Sequence, residues 1–415
     1  MILTASWVVP VAGPPIPAGY VEIEANRIVG VGSACKLPAG VSGIIDLGAV
    51  ALLPGLVNPH THLELSGYAG AIPPMDFWNW IGNMLVIRAA PGQQAREQAG
   101  ARDGAWQSLR AGVTCVGDIS RLNGSWSVLK AIPIRKVCFV ELLSLADRPP
   151  RNPEELCRAA AEIIEDDLLT VGISPHAPYT VPKDHLRAAL VLAGELQRPW
   201  TIHLAETREE VAFLSGRRGV FIPPIEKLLN RHGFRSPNCT PAELIADCAQ
   251  DCGPGSLAHG NYLDAGDLAR LADLGHAVIY CPRSHHYFGH APHPLHALRR
   301  AGVPVTIGTD SLASNRSLSL LDELHFIHTQ VDDPPSPAEL LRMATIDAAR
   351  ALRLDDCIGT LEPGKQADLA AFNCPAGVTD PVRHLIESPA DAHAVWVRGE
   401  RITFPALDAA ELSPP

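Results

Sequence analysis

The sequence has no Cys-x-x-Cys pair, and its ten cysteines are scattered over 415 residues. This spacing gives no support for a zinc ribbon or a dithiol redox site, and reduced, mostly buried thiols are the simpler interpretation. The sequence also lacks the roughly 18 uninterrupted apolar residues of a membrane-spanning helix. No basic segment followed by an apolar one indicates a secretory signal. We therefore expect a cytoplasmic protein without a membrane partner.

Signals for nucleic-acid and dinucleotide binding are missing as well. The net charge is −11 and no basic run occurs, so we expect no nucleic-acid partner. No Gly-x-Gly-x-x-Gly follows a predicted strand, which leaves a dinucleotide site unsupported. The hydrophobic content of 47% over 415 residues exceeds what one core of about 250–300 residues needs, so one large and one smaller domain are expected.

From residue 52 onward, apolar β-rich runs alternate with segments of helix length. Such alternation predicts a parallel sheet, and eight nearly continuous apolar strands favour a closed (β/α)8 TIM barrel, an α/β fold. An open doubly wound sheet is the alternative. The eight predicted strands are Leu52–Val57, Val113–Ile119, Lys136–Leu143, Val171–Ser174, Trp200–Leu204, Ser256–His259, Ala277–Cys281 and Val305–Thr309.

Both chain ends are predicted to form short strands, whereas 52–356 is assigned to the barrel. Residues 1–51 and 357–415 would pair as one small β-sandwich domain, with Gly359–Lys365 among its strands. A helix is predicted at Ala338–Arg353. The long connection Arg208–Gly255 contains two further predicted helices, and such insertions at a barrel mouth form lids or substrate walls.

Ionisable side chains follow five of the eight predicted strands. His60 and His62 stand two residues apart, so they would leave the first strand on the same side. Barrel active sites lie at the carboxyl ends of the strands, and burying unpaired charge is costly, so the set predicts one site rather than core packing. The other members are His176, His203 with Glu206, His259 and Asp310. Imidazoles with a carboxylate suit zinc, iron or manganese, with a coordination position left for water.

The motifs that carry these residues resemble those of the amidohydrolase superfamily. They read PGLVNPHTH, SPHAPY, HLAET, AHGNYL and GTDSLASN, and Ile358–Leu369 resembles the return to the N-terminal β-domain. Within the superfamily, the sequence is similar to the branch of cytosine, guanine and S-adenosylhomocysteine/methylthioadenosine deaminases and triazine chlorohydrolases. The resemblance covers nearly the whole chain.

This resemblance implies a single divalent metal ion, with zinc favoured over iron or manganese. Its implied ligands are His60, His62, His203 and Asp310. Glu206 would carry protons to the substrate ring and the leaving nitrogen, His259 would hold and polarise the attacking hydroxide, and Asp310 would accept its proton. The implied reaction is hydrolytic deamination of an aminated N-heterocycle, with release of ammonia.

The substrate is expected to be a small molecule, an adenine-bearing nucleoside of the aminodeoxyfutalosine, methylthioadenosine or S-adenosylhomocysteine type. HLELS, CPRSH and TDSLASN resemble aminodeoxyfutalosine deaminases of menaquinone biosynthesis most, although Ser284-His285 stands where relatives commonly have Ser-Asn. The expected substrate contacts are His176, Arg283, His285, Glu64 and Trp80. Four further histidines, interrupted by prolines, are expected in a solvated loop: His286, His290, His293 and His296.

Two alternatives stay open at this point. The first is a triazine- or guanine-type amidohydrolase, a chlorohydrolase or nucleobase deaminase that uses the same metal and water. Its relatives often lack the acid at Glu206, so this residue favours deamination. The second is a non-catalytic barrel, which has no physical need for the full set of ligands and proton carriers. Relatives are often dimers, so a homodimer is possible.

Overall fold

The structure, a computed structural model, describes residues 1–120, 124–145, 150–250 and 252–405. Strands from both chain ends form one eight-stranded sheet in the order β16-β15-β14-β5-β1-β2-β3, with β4 beside β1. Its C-terminal strands are β14 Leu369–Asn373, β15 Ala394–Val397 and β16 Glu400–Arg401. Its N-terminal strands are β1 Ile2–Val8, β2 Ile16–Glu24, β3 Arg27–Ser33, β4 Ile44–Asp46 and β5 Val50–Pro54. The two end regions are joined by hydrogen bonds between β5 and β14.

Eight parallel strands form the barrel, in the order of the chain. They are β6 Leu56–Thr61, β7 Val113–Ser120, β8 Arg135–Leu142, β9 Leu169–Pro175, β10 Thr201–Leu204, β11 Ser256–His259, β12 Ala277–Tyr280 and β13 Val305–Ile307. The first seam closes where Ile173 bridges Trp200 between β9 and β10. The second closes where Asp310 N donates to His60 O at 3.1 Å. Because both seams are bonded, the sheet is a closed barrel, and the open-sheet alternative is wrong.

The helices are α1 Phe77–Arg88, α2 Gln93–Arg110, α3 Ser125–Leu129, α4 Pro153–Glu162, α5 Lys183–Glu195, α6 Arg208–Leu214, α7 Pro223–Arg231, α8 Pro241–Cys248, α9 Ala265–Leu274, α10 Pro282–Tyr287, α11 Leu295–Ala301, α12 Leu320–Gln330, α13 Pro337–Met343, α14 Ile346–Ala351 and α15 Pro381–Glu387. Short 3₁₀ helices lie at Ala34–Lys36 and Leu63–Tyr68. Among these described helices, none is both long and apolar enough to cross a membrane.

The predicted strand Leu52–Val57 is two strands, β5 and β6, and this prediction is wrong in an informative way. The chain leaves the end sheet and enters the barrel at Gly55, whose N–H donates to Asp368 O. A Cβ at Gly55 would lie 2.0 Å from Thr114 Oγ1, so only glycine fits this crossing. Both strands are fully buried, so their apolar runs merge in the sequence.

Two predictions near the carboxyl end also need correction. No strand covers Gly359–Lys365; this segment is a set of turns that bonds to β3, where Gly364 N donates to Ile28 O at 2.8 Å and Ile28 N donates to Lys365 O at 2.9 Å. The helix predicted at Ala338–Arg353 is α13 and α14. Thr345 lies between them with φ −134° and ψ −98°, and its hydroxyl bonds to Leu341 O, which competes with helical continuation.

A buried ion pair joins the barrel to the end sheet. Arg135, at the start of β8, donates from Nε to Asp368 Oδ2 at 2.7 Å and from Nη2 to Oδ1 at 3.3 Å. Asp368 precedes β14 and also accepts from Arg398 N at 2.8 Å. Removing one partner of a buried pair leaves an uncompensated charge, which is far costlier than losing an exposed pair.

We therefore expect Arg135→Met to lower the free energy of unfolding by about 3–5 kcal/mol. The control is Arg383→Met on α15, which breaks exposed pairs with Asp380 and Glu387 and should cost about 0–1 kcal/mol. Urea unfolding of both variants measures the difference. Equal, small losses would show that the pair does not stabilise the junction between sheet and barrel.

Candidate active site

Three histidine side chains and one carboxylate meet at the carboxyl ends of the barrel strands. His60 and His62 come from the end of β6, His203 from β10 and Asp310 from the residues after β13. One nitrogen from each histidine lies within 4.8 Å of those of the other two. Asp310 Oδ1 lies 3.9 Å from His60 Nε2 and from His62 Nε2. The sequence-predicted ligands are thus brought together.

Backbone carbonyls fix which nitrogen two of these imidazoles present. His62 Nδ1 lies 3.1 Å from Ile119 O, and His203 Nδ1 lies 2.9 Å from His176 O. A carbonyl only accepts, so Nδ1 carries the hydrogen in both rings and Nε2 keeps its lone pair. The two Nε2 atoms lie 3.2 Å apart. Burial lowers the pKa of both histidines below the ordinary value, which keeps the rings neutral and able to coordinate.

The surroundings of His60 and Asp310 also indicate that this donor set can hold a divalent cation. Both ring nitrogens of His60 are buried and have no hydrogen-bond partner within the described part of the chain. Buried polar atoms are normally paired, so the ring nitrogens of His60 need a partner other than these residues, and a metal ion would serve as one. Asp310 Oδ2 accepts from Ser284 Oγ at 2.6 Å and Ser314 Oγ at 3.0 Å, which turns Oδ1 toward the histidines. Three imidazole nitrogens and one carboxylate oxygen suit a divalent metal.

The two predicted proton-transfer residues lie beside this set. Glu206 follows β10 and His259 ends β11, and Glu206 Oε1 is 3.5 Å from His259 Nε2. Both are buried, 5% and 4% exposed. Burial is the main reason that the pKa of Glu206 is raised well above its usual value, and the charges of Asp310 and Glu210 add to it. A protonated carboxylic acid at this position can donate a proton.

A cavity of about 240 Å³ opens above these residues and is lined by three of the five predicted substrate contacts: His176, Glu64 and Trp80. His176 Nδ1 lies 2.7 Å from Thr180 Oγ1, whose own hydrogen is donated to Ala177 O. Nδ1 is therefore the donor, and Nε2 is the acceptor nitrogen of His176.

The far wall of the cavity is apolar and comes from helices outside the barrel. α1 contributes Trp78 and Trp80, whose indole N–H groups are satisfied by Glu209 Oε2 and Ala313 O, both at 3.2 Å. α7, in the predicted insertion, contributes Ile225 and Leu228. Part of the insertion thus forms a wall of the cavity. α8, its other predicted helix, packs against α5 and α9 instead and supplies no lining residue.

Glu64 is anchored by a buried ion pair at the base of this wall. Arg88 Nη2 donates to Glu64 Oε1 at 2.6 Å, and Ser120 Oγ donates to Oε2 at 2.7 Å. Arg88 also donates from Nε to Glu97 at 2.7 Å. Arg88 itself lines the cavity, so the sole arginine among the described lining residues is neutralised by two carboxylates.

Arg283 and His285, predicted to contact substrate, do not lie on the cavity wall. Helix α10 begins at Pro282 and turns Arg283 toward α12, where its side chain pairs with Asp322 at 3.3 Å. His285 lies against Tyr280, with 5.6 Å between ring centroids. Both residues follow the seventh predicted strand, but helix α10 begins immediately after the strand and redirects their side chains.

The expected solvated histidine loop is partly buried instead. His293 stacks on Tyr280 with 3.8 Å between centroids and donates from Nε2 to His259 O at 2.9 Å. His290 Nδ1 bonds to Tyr262 Oη at 3.1 Å. Among the described residues, the group of three or more side chains close enough to share a metal ion is His60, His62 and His203. The later histidines do not belong to such a group.

The sequence reasoning missed several cavity residues. Glu141, one residue before the end of β8, lines the cavity and is buried, and the strand-end rule applied to the third strand would have found it. Ser284 and Ser314, which orient Asp310, were also missed as functional residues. Ser314 lies four residues after Asp310, a spacing that signals nothing unless the turn is known.

The fold and the donor set together define a class: metal-dependent (β/α)8-barrel hydrolases with the active site at the carboxyl ends of the strands. The sequence profile of the amidohydrolase family matches residues 51–402, and the chain belongs to this family.

Known proteins similar to this chain agree with the family. A protein of Saccharophagus degradans named 5-methylthioadenosine/S-adenosylhomocysteine deaminase is 28% identical, with 96% of this chain and 90% of that protein covered. A protein of the same name from Teredinibacter turnerae is 30% identical, with 86% of this chain and 81% of that protein covered. The solved structure of Helicobacter pylori aminofutalosine deaminase in complex with methylthio-coformycin has a TM-score of 0.86 at 26% identity, covering 97% of this chain and all of that one.

Proposed function

We propose that this protein is a metal-dependent deaminase that hydrolyses the amino group of an adenine-bearing nucleoside and releases ammonia. The protein is a hydrolase of the amidohydrolase family, and its relatives named above are deaminases of such nucleosides. The observation that carries the proposal is the buried Glu206–His259 pair, 3.5 Å apart and next to the metal donor set. A proton donor at this place suits deamination, in which the ring nitrogen and the leaving amino group must both be protonated.

The metal supplies one part of the chemistry. A divalent cation held by His60, His62, His203 and Asp310 would polarise the oxygen of a bound water molecule and so lower the pKa of that water toward neutrality. Asp310 would take the proton of the attacking water, because Ser284 and Ser314 occupy its other oxygen and leave Oδ1 for this role. His259 would hold the water oxygen on the ring side and stabilise the charge that develops there.

Glu206 would carry protons on the substrate. It would give its proton to the ring nitrogen next to the carbon that water attacks, and would regain one from the hydroxyl group that has been added there. It would pass this second proton to the amino group, which leaves as ammonia, and the proton held by Asp310 would then restore Glu206. The carbon–oxygen bond formed replaces the carbon–nitrogen bond broken, so the product is the corresponding hypoxanthine nucleoside. Burial keeps Glu206 able to act as an acid near neutral pH, since it raises the pKa of this carboxyl.

The rest of the nucleoside would lie toward the cavity walls. His176 Nε2 and the anchored carboxylate of Glu64 are hydrogen-bond acceptors suited to sugar hydroxyl groups. Trp80 and the apolar residues of α1 and α7 would contact the group on the 5′ carbon. A cavity with polar side chains at its floor and apolar side chains along its wall is typical of small-molecule sites.

Further properties belong to the same proposal. We propose zinc as the metal because its catalytic sites use this mixture of nitrogen and oxygen ligands. We propose that the catalytic barrel domain ends at residue 356 and begins at Gly55 rather than at residue 52, because Leu52–Pro54 pair with β14 in the end sheet. The remaining residues of 1–54 and 357–415 form the proposed β-sandwich domain, of which residues 406–415 lie outside the described part. A cytoplasmic location is supported by ten cysteines without a disulfide among them. A homodimer without nucleic-acid or membrane partners completes the proposal.

The test is ammonia release by metal-replete protein across a substrate panel. We expect release from at least one of aminodeoxyfutalosine, methylthioadenosine, S-adenosylhomocysteine, 5′-deoxyadenosine or adenosine, and none from adenine, guanine or cytosine. The nucleosides differ mainly in the 5′ group, so their kcat/KM values rank the preference of the apolar wall. Release from a nucleobase alone, or from no compound of the panel, would refute the proposed substrate class.

A further inference from the structure

The turn that carries Glu206 is held by a second buried glutamate. Glu210, in the first turn of α6, is completely buried. Its Oε1 accepts from Ala205 N at 2.8 Å and its Oε2 accepts from Glu206 N at 3.0 Å. One carboxylate thus binds two successive N–H groups, a geometry that a neutral amide cannot reproduce because it has one acceptor atom.

The other side of the same peptide segment is bonded as well. Asn261, just after β11, donates from Nδ2 to Glu206 O at 3.0 Å. Tyr262 N donates to Ala205 O at 3.0 Å. The backbone of Glu206 is therefore bonded at its N–H by Glu210 and at its carbonyl by Asn261, from two different barrel connections.

This turn needs such bonding because its backbone is unusual. Ala205 has φ 52°, in the left-handed region that residues with a Cβ rarely occupy. Conformations of this kind persist only where the surrounding structure enforces them. Glu206 and Glu210 are both buried, and burying a carboxylate is costly unless hydrogen bonds compensate for the lost water. The two backbone N–H groups supply such bonds to Glu210.

We propose that Glu210 and Asn261 are positioning residues that aim the Glu206 carboxyl at the substrate ring. The inference rests on the proposed function, in which Glu206 transfers protons. Glu210 lies behind the turn and is not a cavity residue, so it acts through Glu206 alone. The aim of a proton donor affects the rate of the chemical step more than substrate binding.

The first test is Glu210→Gln, assayed with the best nucleoside of the panel. We expect kcat to fall on the order of 10- to 100-fold while KM and metal content stay within about twofold. The matched control is Glu243→Gln on α8. Glu243 also occupies the third position of a helix and accepts a backbone N–H, that of Thr240, but it lies away from the site. Its kcat should not change.

A double-mutant cycle separates positioning from general structural support. If Glu210 acts through Glu206, adding Glu210→Gln to Glu206→Gln should not lower the single-turnover rate further. The same loss in both backgrounds would overturn the inference, because it would show an effect independent of Glu206. Full activity of Glu206→Gln alone would instead refute the proposed function, so the two failures are distinguishable.

A second variant covers the case in which Glu210→Gln does not fold. Asn261→Leu keeps the side-chain size and removes only the donor to Glu206 O. We expect the same selective loss of kcat and the same absence of an added loss in the Glu206→Gln background. An unchanged kcat in folded Asn261→Leu protein would refute its share in positioning, and an equal loss in both backgrounds would refute the mechanism.

Discussion

Replacing Glu206 by Gln is expected to lower kcat by roughly 10²- to 10⁴-fold, the usual contribution of a general acid–base group. The amide fills nearly the same volume but cannot give a proton to the ring nitrogen or the leaving amine. The proposed metal donors are His60, His62, His203 and Asp310, and the substitution touches none of them, so metal content should stay at the wild-type level. Steady-state ammonia release and metal analysis of the same preparation measure both quantities.

The control for this variant is Glu209→Gln, three residues further along the chain in the first turn of α6. Glu209 accepts a hydrogen bond from Trp78 Nε1 at 3.2 Å, and a glutamine oxygen can still accept it. We expect kcat within about threefold of wild type. If Glu206→Gln behaves like Glu209→Gln, proton transfer must be assigned to another group, and Glu141 is the buried cavity carboxylate to test next.

Replacing His203 by Ala is expected to abolish both metal retention and turnover. His203 is fixed through Nδ1 by His176 O and presents Nε2 beside that of His62, at 3.2 Å. Its loss removes one of four donors and leaves the others without the geometry that one cation requires. We expect less than about a tenth of the wild-type metal after dialysis and no ammonia release above background.

His276→Asn controls for loss of a buried imidazole. His276 is 2% exposed, packs in a T-shaped contact against Trp200 and accepts from Gly255 N at 3.1 Å, away from the donor set. This variant should lose some stability but keep its metal and its kcat. A folded His203→Ala protein that retains a full equivalent of metal would show that the cation lies elsewhere.

The strand-end rule found the centre of the site because barrel chemistry is local in sequence at each strand. His60, His62, His203, His259 and Asp310 each follow an apolar run, and the sheet brings the ends of those runs together. Neither the tautomers nor the support of Asp310 could be predicted. The tautomers depend on partners far along the chain, and the contact from Ser314 depends on a turn that the sequence pattern does not show. The bond from His62 to Ile119 O, for example, spans 57 residues.

The wrong predictions share a physical cause, which is that apolar runs do not show where backbone direction changes. Gly55 separates β5 from β6 although every residue on either side is buried. Thr345 breaks a run with continuous helical character. Arg283 and His285 were expected to contact substrate because they follow the seventh predicted strand, but Pro282 starts a helix directly after the strand and neither residue lines the cavity.

The most direct test of the central claim is the metal dependence of ammonia release from the preferred adenine nucleoside. Protein would be assayed as purified, after removal of metal by a chelator, and after addition of one equivalent of Zn²⁺. We expect one divalent metal per chain, loss of ammonia release on removal and its recovery on addition. Undiminished release of ammonia by metal-free protein would contradict the account, because the site described here then would not perform the reaction.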